Sequence, residues 1–121
     1  MGGLISIYAL CEYPDIFGGA ACLSIHWPFS LILNNSLMFK VITDYLKAKL
    51  PSPNSHKIYY DHGTETLDSL YHPYQSEVNK IMLKKGFTEK SWITRIFEGD
   101  DHSELSWQKR FYIPTTFLLS L

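Results

Sequence analysis

Three short segments of strand type recur along the chain, separated from one another by segments of helical pattern. They are AACLSI at residues 20–25, HKIYYD at residues 56–61 and WITRIFEG at residues 92–99. Their apolar, β-branched and aromatic side chains are typical of buried strands. Strands that alternate with helices predict an α/β fold, in which helices flank a parallel sheet on both faces through right-handed crossovers.

The segments around the strands predict helices over residues 2–13, 36–50, 71–86 and from residue 100 onward. The first is apolar almost all round, which is typical of a buried helix, and Pro14 ends it. Ser36 is the expected N-cap of the second helix and Gly86 the expected C-cap of the third. Pro114 is expected to break or kink the last helix before the apolar tail. Loops are expected over residues 28–35 and 62–70.

Composition limits the classes to which the protein can belong. Its 121 residues suffice for one domain, and 45% hydrophobic with 19% charged residues is the balance of a globular chain rather than a disordered one. Eleven basic and 12 acidic residues give a net charge of −1, which offers no electrostatic case for nucleic acid or a membrane surface. Cys11 and Cys22 lie in apolar segments, which favours buried thiols over a disulfide framework.

The loops that follow the strands are where chemistry is expected, because parallel sheets bind ligands beyond the carboxyl ends of their strands. His102 follows the third strand, and an imidazole there suits acid–base work because its ordinary pKa is near neutrality. The alternative is a surface histidine in a helix-capping turn. Asp61, Glu65 and Asp68 follow the second strand, where a carboxylate can accept the Nδ1–H of a histidine. Their alternative is a solvated acidic loop, with Asp68 capping the next helix.

The opening residues Met1, Gly2 and Gly3 run directly into the buried helix. Small residues at a tight strand-to-helix turn are the second half of a G-x-S-x-G nucleophile elbow. A serine immediately before Met1 would complete that motif. The order of nucleophile, acid and histidine would then be the order found in α/β-hydrolases.

Three stretches carry a resemblance that covers nearly the whole chain: MGGLISIYALCEYPDIFGGAACLS, HKIYYDHGTETLDSLYHPYQ and FEGDDHSELSWQKRFYIPTTFLL. They resemble the C-terminal half of the esterase D-like branch of the α/β-hydrolase fold. That branch includes feruloyl and acetyl xylan esterases, enterobactin esterases, S-formylglutathione hydrolase and mycolyltransferases. The elbow of these relatives typically has the form G-x-S-M-G-G. The resemblance therefore implies that residues 1–121 form one partial domain that begins just after the nucleophile.

The resemblance also implies roles for individual residues. His102, in G-x-x-H-S, matches the general base. Many relatives place the acid at the fourth position of a G-T-x-[DE] turn, which is Thr66 here, and the nearest carboxylates are Asp68 and Glu65. Asp68 is preferred because TLDSLY resembles a T-L-D-x-x-Y variant of the family, with Glu65 second and Asp61 third.

Three further residues receive roles at the predicted substrate site. The backbone N–H of Met1 matches the oxyanion-hole donor that follows the nucleophile. His26 and Trp27 follow the first strand and are candidates to line the substrate pocket. Their alternative role is an aromatic lid over the end of the sheet. Trp107 is expected beneath His102, with a structural role.

The expected function is the C-terminal portion of a serine carboxylic-ester hydrolase, acting on carbohydrate-linked or phenolic esters without a cofactor. The 121-residue chain alone is expected to be inactive, since none of its serines lies in an elbow. The alternative is a catalytically silent interaction or structural module. An uncovered sheet edge and apolar first helix favour a homodimer that buries both. Localisation stays open, with the cytoplasm preferred, because a signal peptide would lie upstream.

A metal site is not expected. His56, His62 and His72 lie in the same part of the sequence as Asp61, but their spacing matches no metal-binding pattern.

Overall fold

A three-stranded parallel sheet in the order β1-β2-β3 forms the centre of the protein. The computed structural model describes residues 1–28 and 36–120. The strands are β1 (Gly19–Leu23), β2 (Lys57–Gly63) and β3 (Trp92–Phe97), and the helices are α1 (Gly2–Glu12), α2 (Ser36–Lys49), α3 (His72–Lys84), α4 (Glu104–Arg110) and α5 (Tyr112–Leu119). A 3₁₀ turn over Thr66–Leu70 follows β2. The predicted α/β fold with a parallel sheet flanked by helices is confirmed.

The strand residues divide between two faces of the sheet, because successive side chains of a strand point in opposite directions. One face holds the main hydrophobic core, in which Cys22, Ile58 and Tyr60 pack with residues of α1, α2 and α3: Leu10, Leu46, Val78 and Met82. Helix α5 contacts β1 and β2. A Cβ added at Gly19 would lie 2.8 Å from the backbone oxygen of Lys57 and 2.9 Å from Leu118 Cδ2, so there is no room for a side chain at this position.

The structure extends or shortens several of the predicted elements. Strand β1 ends at Leu23, because the next residue, Ser24, has a φ of 45° and leaves the extended conformation. The stretch predicted as a loop over 62–70 is more ordered: β2 continues through Gly63, and the 3₁₀ turn covers most of the rest.

The C-terminal segment also differs in detail from its prediction. The helix breaks at Phe111, three residues before the proline, and the apolar tail forms α5. Pro114 is the third residue of α5, where the missing N–H removes no intrahelical bond. Gly86, with a φ of 88°, follows α3 as expected.

Some sequence predictions fall on residues that the structure does not describe. The loop expected over 28–35 lies outside the described residues except for Pro28. The capping side chain of Ser36 lies outside them as well.

Both cysteines are buried and free. Burial raises the pKa of Cys11 to about 11 and raises that of Cys22 further, which makes both thiols poor nucleophiles at neutral pH. None of the helices in the described ranges has the length and apolar character needed to cross a bilayer.

Candidate active site at the carboxyl ends of the strands

His102 and Asp68 form a hydrogen-bonded pair at the carboxyl end of the sheet. Asp68 lies in the 3₁₀ turn after β2, and His102 lies in the loop between β3 and α4. The distance from His102 Nδ1 to Asp68 Oδ1 is 2.8 Å, the Asp68 side chain is fully buried, and that of His102 is 25% exposed. Since a carboxylate only accepts hydrogen bonds, Nδ1 carries the proton and Nε2 is left for another group.

The other two candidate acids lie elsewhere. Glu65 is exposed just before the 3₁₀ turn. Asp61 is buried on β2, where it accepts hydrogen bonds from Arg110 Nε (3.1 Å) and Nη2 (2.9 Å) and from the Tyr59 hydroxyl (2.9 Å). Of the three carboxylates, the one that contacts His102 is therefore Asp68.

Arg110 and Asp61 form a second buried pair beside the first. Arg110 reaches Asp61 from α4, and its Nη1 donates to Asp100 Oδ2 at 2.9 Å. Burial raises the pKa of Asp61, and the guanidinium opposes that shift. Removing one partner of such a pair leaves the other charge buried and unpaired, which makes the pair a structural requirement.

Ser24 lies between the two pairs and contacts both. Its hydroxyl is 2.6 Å from Asp68 Oδ2, 2.9 Å from Trp107 Nε1 and 3.0 Å from Arg110 Nη2. Its backbone N–H donates to Asp61 Oδ1 at 3.0 Å. Serine, aspartate and histidine are thus all present, but the serine is bonded to the aspartate and is buried. Ser24 therefore does not have the position of a nucleophile, which would contact the histidine.

Two residues at the site adopt a left-handed backbone that side chains disfavour. They are Ser24, with a φ of 45°, and Thr66, with a φ of 52°. The Thr66 hydroxyl accepts the backbone N–H of His102 at 2.9 Å. Such conformations cost on the order of 1–3 kcal/mol each and persist where the surrounding structure holds them.

Aromatic rings surround the His102 imidazole. The ring of Trp107 lies edge-on to it with centroids 5.1 Å apart. The buried Tyr71 has its hydroxyl 3.4 Å from His102 Nδ1 and 2.8 Å from His26 Nδ1. Burial raises the pKa of Tyr71, so its hydroxyl stays protonated at neutral pH.

A cleft of about 300 Å³ opens beside His102 and is lined by Met1, Gly2, Gly3, Ala21, Leu23, Ser24, His102, Trp107 and Phe111. The start of α1 forms one side of it. The first N–H groups of a helix have no partner within the helix, and its N-terminus carries partial positive charge. A Cβ at Gly3 would lie 2.9 Å from Ile25 Cβ, so this glycine lets α1 begin close to the end of β1.

The two predicted pocket residues have different positions. Trp27 is fully buried, donates from Nε1 to Gln75 Oε1 at 2.7 Å and packs 5.7 Å from the Tyr60 ring. It belongs to the core and does not line the cleft. His26 is partly buried, and the Tyr71 hydroxyl that it contacts also lies 3.4 Å from His102 Nδ1. Burial lowers the pKa of His26, and the neighbouring His102 lowers it further.

Several residues of the site were not singled out from the sequence for the roles they have. The positive φ angles of Ser24 and Thr66 were not predictable, because serine and threonine seldom adopt this conformation. Arg110 follows Asp61 by 49 residues, and no local pattern connects them. Tyr71 belongs to the TLDSLY stretch, but the stretch does not indicate that its hydroxyl contacts both His26 and His102.

No group of three or more potential metal ligands occurs within residues 1–28 and 36–120. His56 Nε2 is bonded to the Pro14 carbonyl at 2.8 Å. His62 is bonded through Nδ1 to the Gly63 carbonyl, and its ring lies 6.0 Å from that of His72.

Comparisons of the chain with protein-family models, with curated proteins and with solved structures found no match.

Proposed function

We propose that the protein is the C-terminal half of a serine carboxylic-ester hydrolase of the α/β-hydrolase fold, and that His102 and Asp68 are its general base and acid. The observation that carries the proposal is the 2.8 Å hydrogen bond between His102 Nδ1 and a buried carboxylate, beside a cleft that the first residues of α1 also line. In this proposal the nucleophilic serine immediately precedes Met1.

The proposed reaction passes through an acyl-enzyme. The serine hydroxyl attacks the ester carbonyl, and His102 Nε2 takes its proton while Asp68 holds Nδ1–H. The backbone N–H of Met1 donates to the oxyanion of the tetrahedral intermediate. The alcohol then leaves with the proton from His102. Water, deprotonated by His102, attacks the acyl group. His102 then returns that proton to the serine oxygen, so the serine hydroxyl is regenerated and the carboxylic acid leaves.

The proposed substrates are carbohydrate-linked or phenolic esters, the class that the sequence resemblance implies. Trp107 and Phe111 give the cleft aromatic walls, and aromatic rings suit the faces of sugars and phenols. Residues upstream of Met1 would form the remainder of the acyl pocket.

A second candidate function, an interaction module without catalysis, is favoured by an apolar surface on α1. Met1, Ile5 and Tyr8 are 86%, 60% and 49% exposed. They border an apolar cavity of about 250 Å³ between α1 and α2. Apolar surface of this kind is typical of an interface, and a second copy of the chain is the proposed partner.

One experiment separates the two functions. The reading frame upstream of the Met1 codon is sequenced, and the protein with any in-frame upstream residues is compared with the 121-residue chain for fluorophosphonate labelling and for hydrolysis of p-nitrophenyl acetate. The esterase proposal expects a Gly-x-Ser sequence before Met1 and both activities in the longer protein alone. A stop codon directly upstream, or a longer protein that is not labelled, would contradict it and favour the interaction module.

A further inference from the structure

The two non-glycine residues with positive φ in the described ranges both bind the His102–Asp68 pair. The Ser24 hydroxyl contacts Asp68, and the Thr66 hydroxyl accepts the backbone N–H of His102. A left-handed backbone is unfavourable for serine and more so for β-branched threonine. Because both strained residues contact the same pair, we infer that the backbone strain serves to maintain the geometry of the His102–Asp68 pair.

The direction of the Ser24 hydroxyl proton is fixed by its neighbours. Trp107 Nε1 and Arg110 Nη2 are both donors, and they occupy the two lone pairs of the oxygen. The one proton of the hydroxyl is therefore left for Asp68 Oδ2, 2.6 Å away. Trp107 and Arg110 make Ser24 a donor of fixed direction.

The orientation of the Asp68 carboxylate follows from that donor. Oδ2 accepts the Ser24 hydroxyl and also the backbone N–H of Gly63, both at 2.6 Å. Oδ1 is consequently the oxygen that faces His102. A carboxylate held at one oxygen by two donors keeps its other oxygen in the plane that the imidazole needs.

We propose that Ser24 is a positioning residue: its hydroxyl, directed by Trp107 and Arg110, orients Asp68 so that His102 is held with its proton on Nδ1. The catalytic meaning of this arrangement rests on the proposed esterase function. The effect on the His102 tautomer does not, because it is a property of the 121-residue chain.

The test measures the tautomer of His102 by ¹⁵N NMR in the 121-residue chain, at a pH well above the ordinary imidazole pKa. Its signals are assigned by comparison with His102→Gln. Ser24→Gly and Ser24→Ala both remove the hydroxyl, but glycine accepts the positive φ without strain and alanine does not. Ser91→Ala is the matched control, because Ser91 is a buried, hydrogen-bonded serine that precedes β3 at the opposite end of the sheet.

The proposal expects a single Nδ1–H tautomer in the unaltered protein and in Ser91→Ala, and a mixture of the two tautomers in both Ser24 variants. In a longer protein with esterase activity, kcat/KM should also fall by about 10- to 100-fold in Ser24→Gly, by analogy with the loss of a group that orients a metal-binding histidine. If the tautomer changes while no esterase activity exists, the positioning role stands and the proposed function fails.

Three results would overturn the proposal. One is a Ser24→Gly protein that keeps the single Nδ1–H tautomer. Another is an equal change in Ser91→Ala, which would make the effect non-specific. The third is a Ser24→Gly protein that does not fold, because the hydroxyl would then serve the fold rather than the geometry of the pair.

Discussion

Two buried carboxylates lie at the end of β2, and their partners give them different roles. Asp61 is fixed by Arg110, a cation that keeps its charge at every accessible pH. Asp68 faces His102, whose imidazole is a group that can accept and release a proton. Ser24 contacts both. The comparison teaches that burial alone does not define the role of a carboxylate. A partner that does not exchange a proton leaves the carboxylate a structural group, whereas an imidazole partner leaves it able to support proton transfer.

The largest expected effect lies on the His102 side. In a longer protein with esterase activity, Asp68→Asn should lower kcat/KM by about 10⁴-fold, because the amide does not hold the histidine in the required tautomer. The measurement is hydrolysis of p-nitrophenyl acetate. Glu65→Gln is the control and should change the rate little, since Glu65 is exposed. The opposite ranking would assign the acid to Glu65.

The next effect lies on the Arg110 side and concerns stability. Arg110→Met should lower the free energy of unfolding by about 3–5 kcal/mol, because it leaves Asp61 buried without its cation. Urea denaturation of the 121-residue chain measures this. The control is Arg95→Met on β3, where the side chain is exposed and a change within about 0.5 kcal/mol is expected.

The pH dependence of Arg110→Met sharpens the same comparison. Without the guanidinium, burial raises the pKa of Asp61 further, opposed by the hydrogen bonds from Ser24 and Tyr59, so the folded variant binds a proton more readily than the unfolded chain. The stability of this variant relative to the unaltered protein should therefore rise as the pH falls from the raised pKa of folded Asp61 to the lower, ordinary carboxyl pKa of the unfolded chain. Denaturation at several pH values measures the difference. A loss that does not depend on pH would mean that the arginine contributes packing rather than charge.

The smallest expected effect is the difference in stability between two tyrosine variants. Tyr59 contacts Asp61, and Tyr71 lies beside His102. Tyr59→Phe removes a hydroxyl that donates to the buried Asp61 at 2.9 Å and should cost about 1–3 kcal/mol of stability. Tyr71→Phe removes a hydroxyl that lies 2.8 Å from His26 Nδ1 and 3.4 Å from His102 Nδ1. It should cost less, because both imidazoles are partly exposed, so water can replace the hydroxyl, and neither is a buried carboxylate. Thermal or urea unfolding of both variants checks the order. Equal losses of stability would contradict the distinction between the Asp61–Arg110 pair and the Asp68–His102 pair.

The sequence determined the layered fold with few errors. The strands β1, β2 and β3 and the helices between them were predictable because each is set by local hydrophobic periodicity and by Pro14 and Gly86. The errors lie at element ends. Strand β1 ends at Leu23, where Ser24 turns to contact Asp61, Asp68 and Arg110, and a local pattern does not contain these distant contacts.

The sequence also marked His102 and the acidic segment after β2, because both follow strands of a parallel sheet. Only the tertiary structure decided which carboxylate meets the histidine. Asp61, Glu65 and Asp68 have the same chemistry and lie within eight residues of one another in the sequence. Arg110 binds Asp61, and Glu65 is exposed to solvent. Ser24 and Gly63 donate hydrogen bonds that orient Asp68. Arg110 comes from α4 and Ser24 follows β1, both far from these acids in the sequence, so the selection among the acids is a property of the fold.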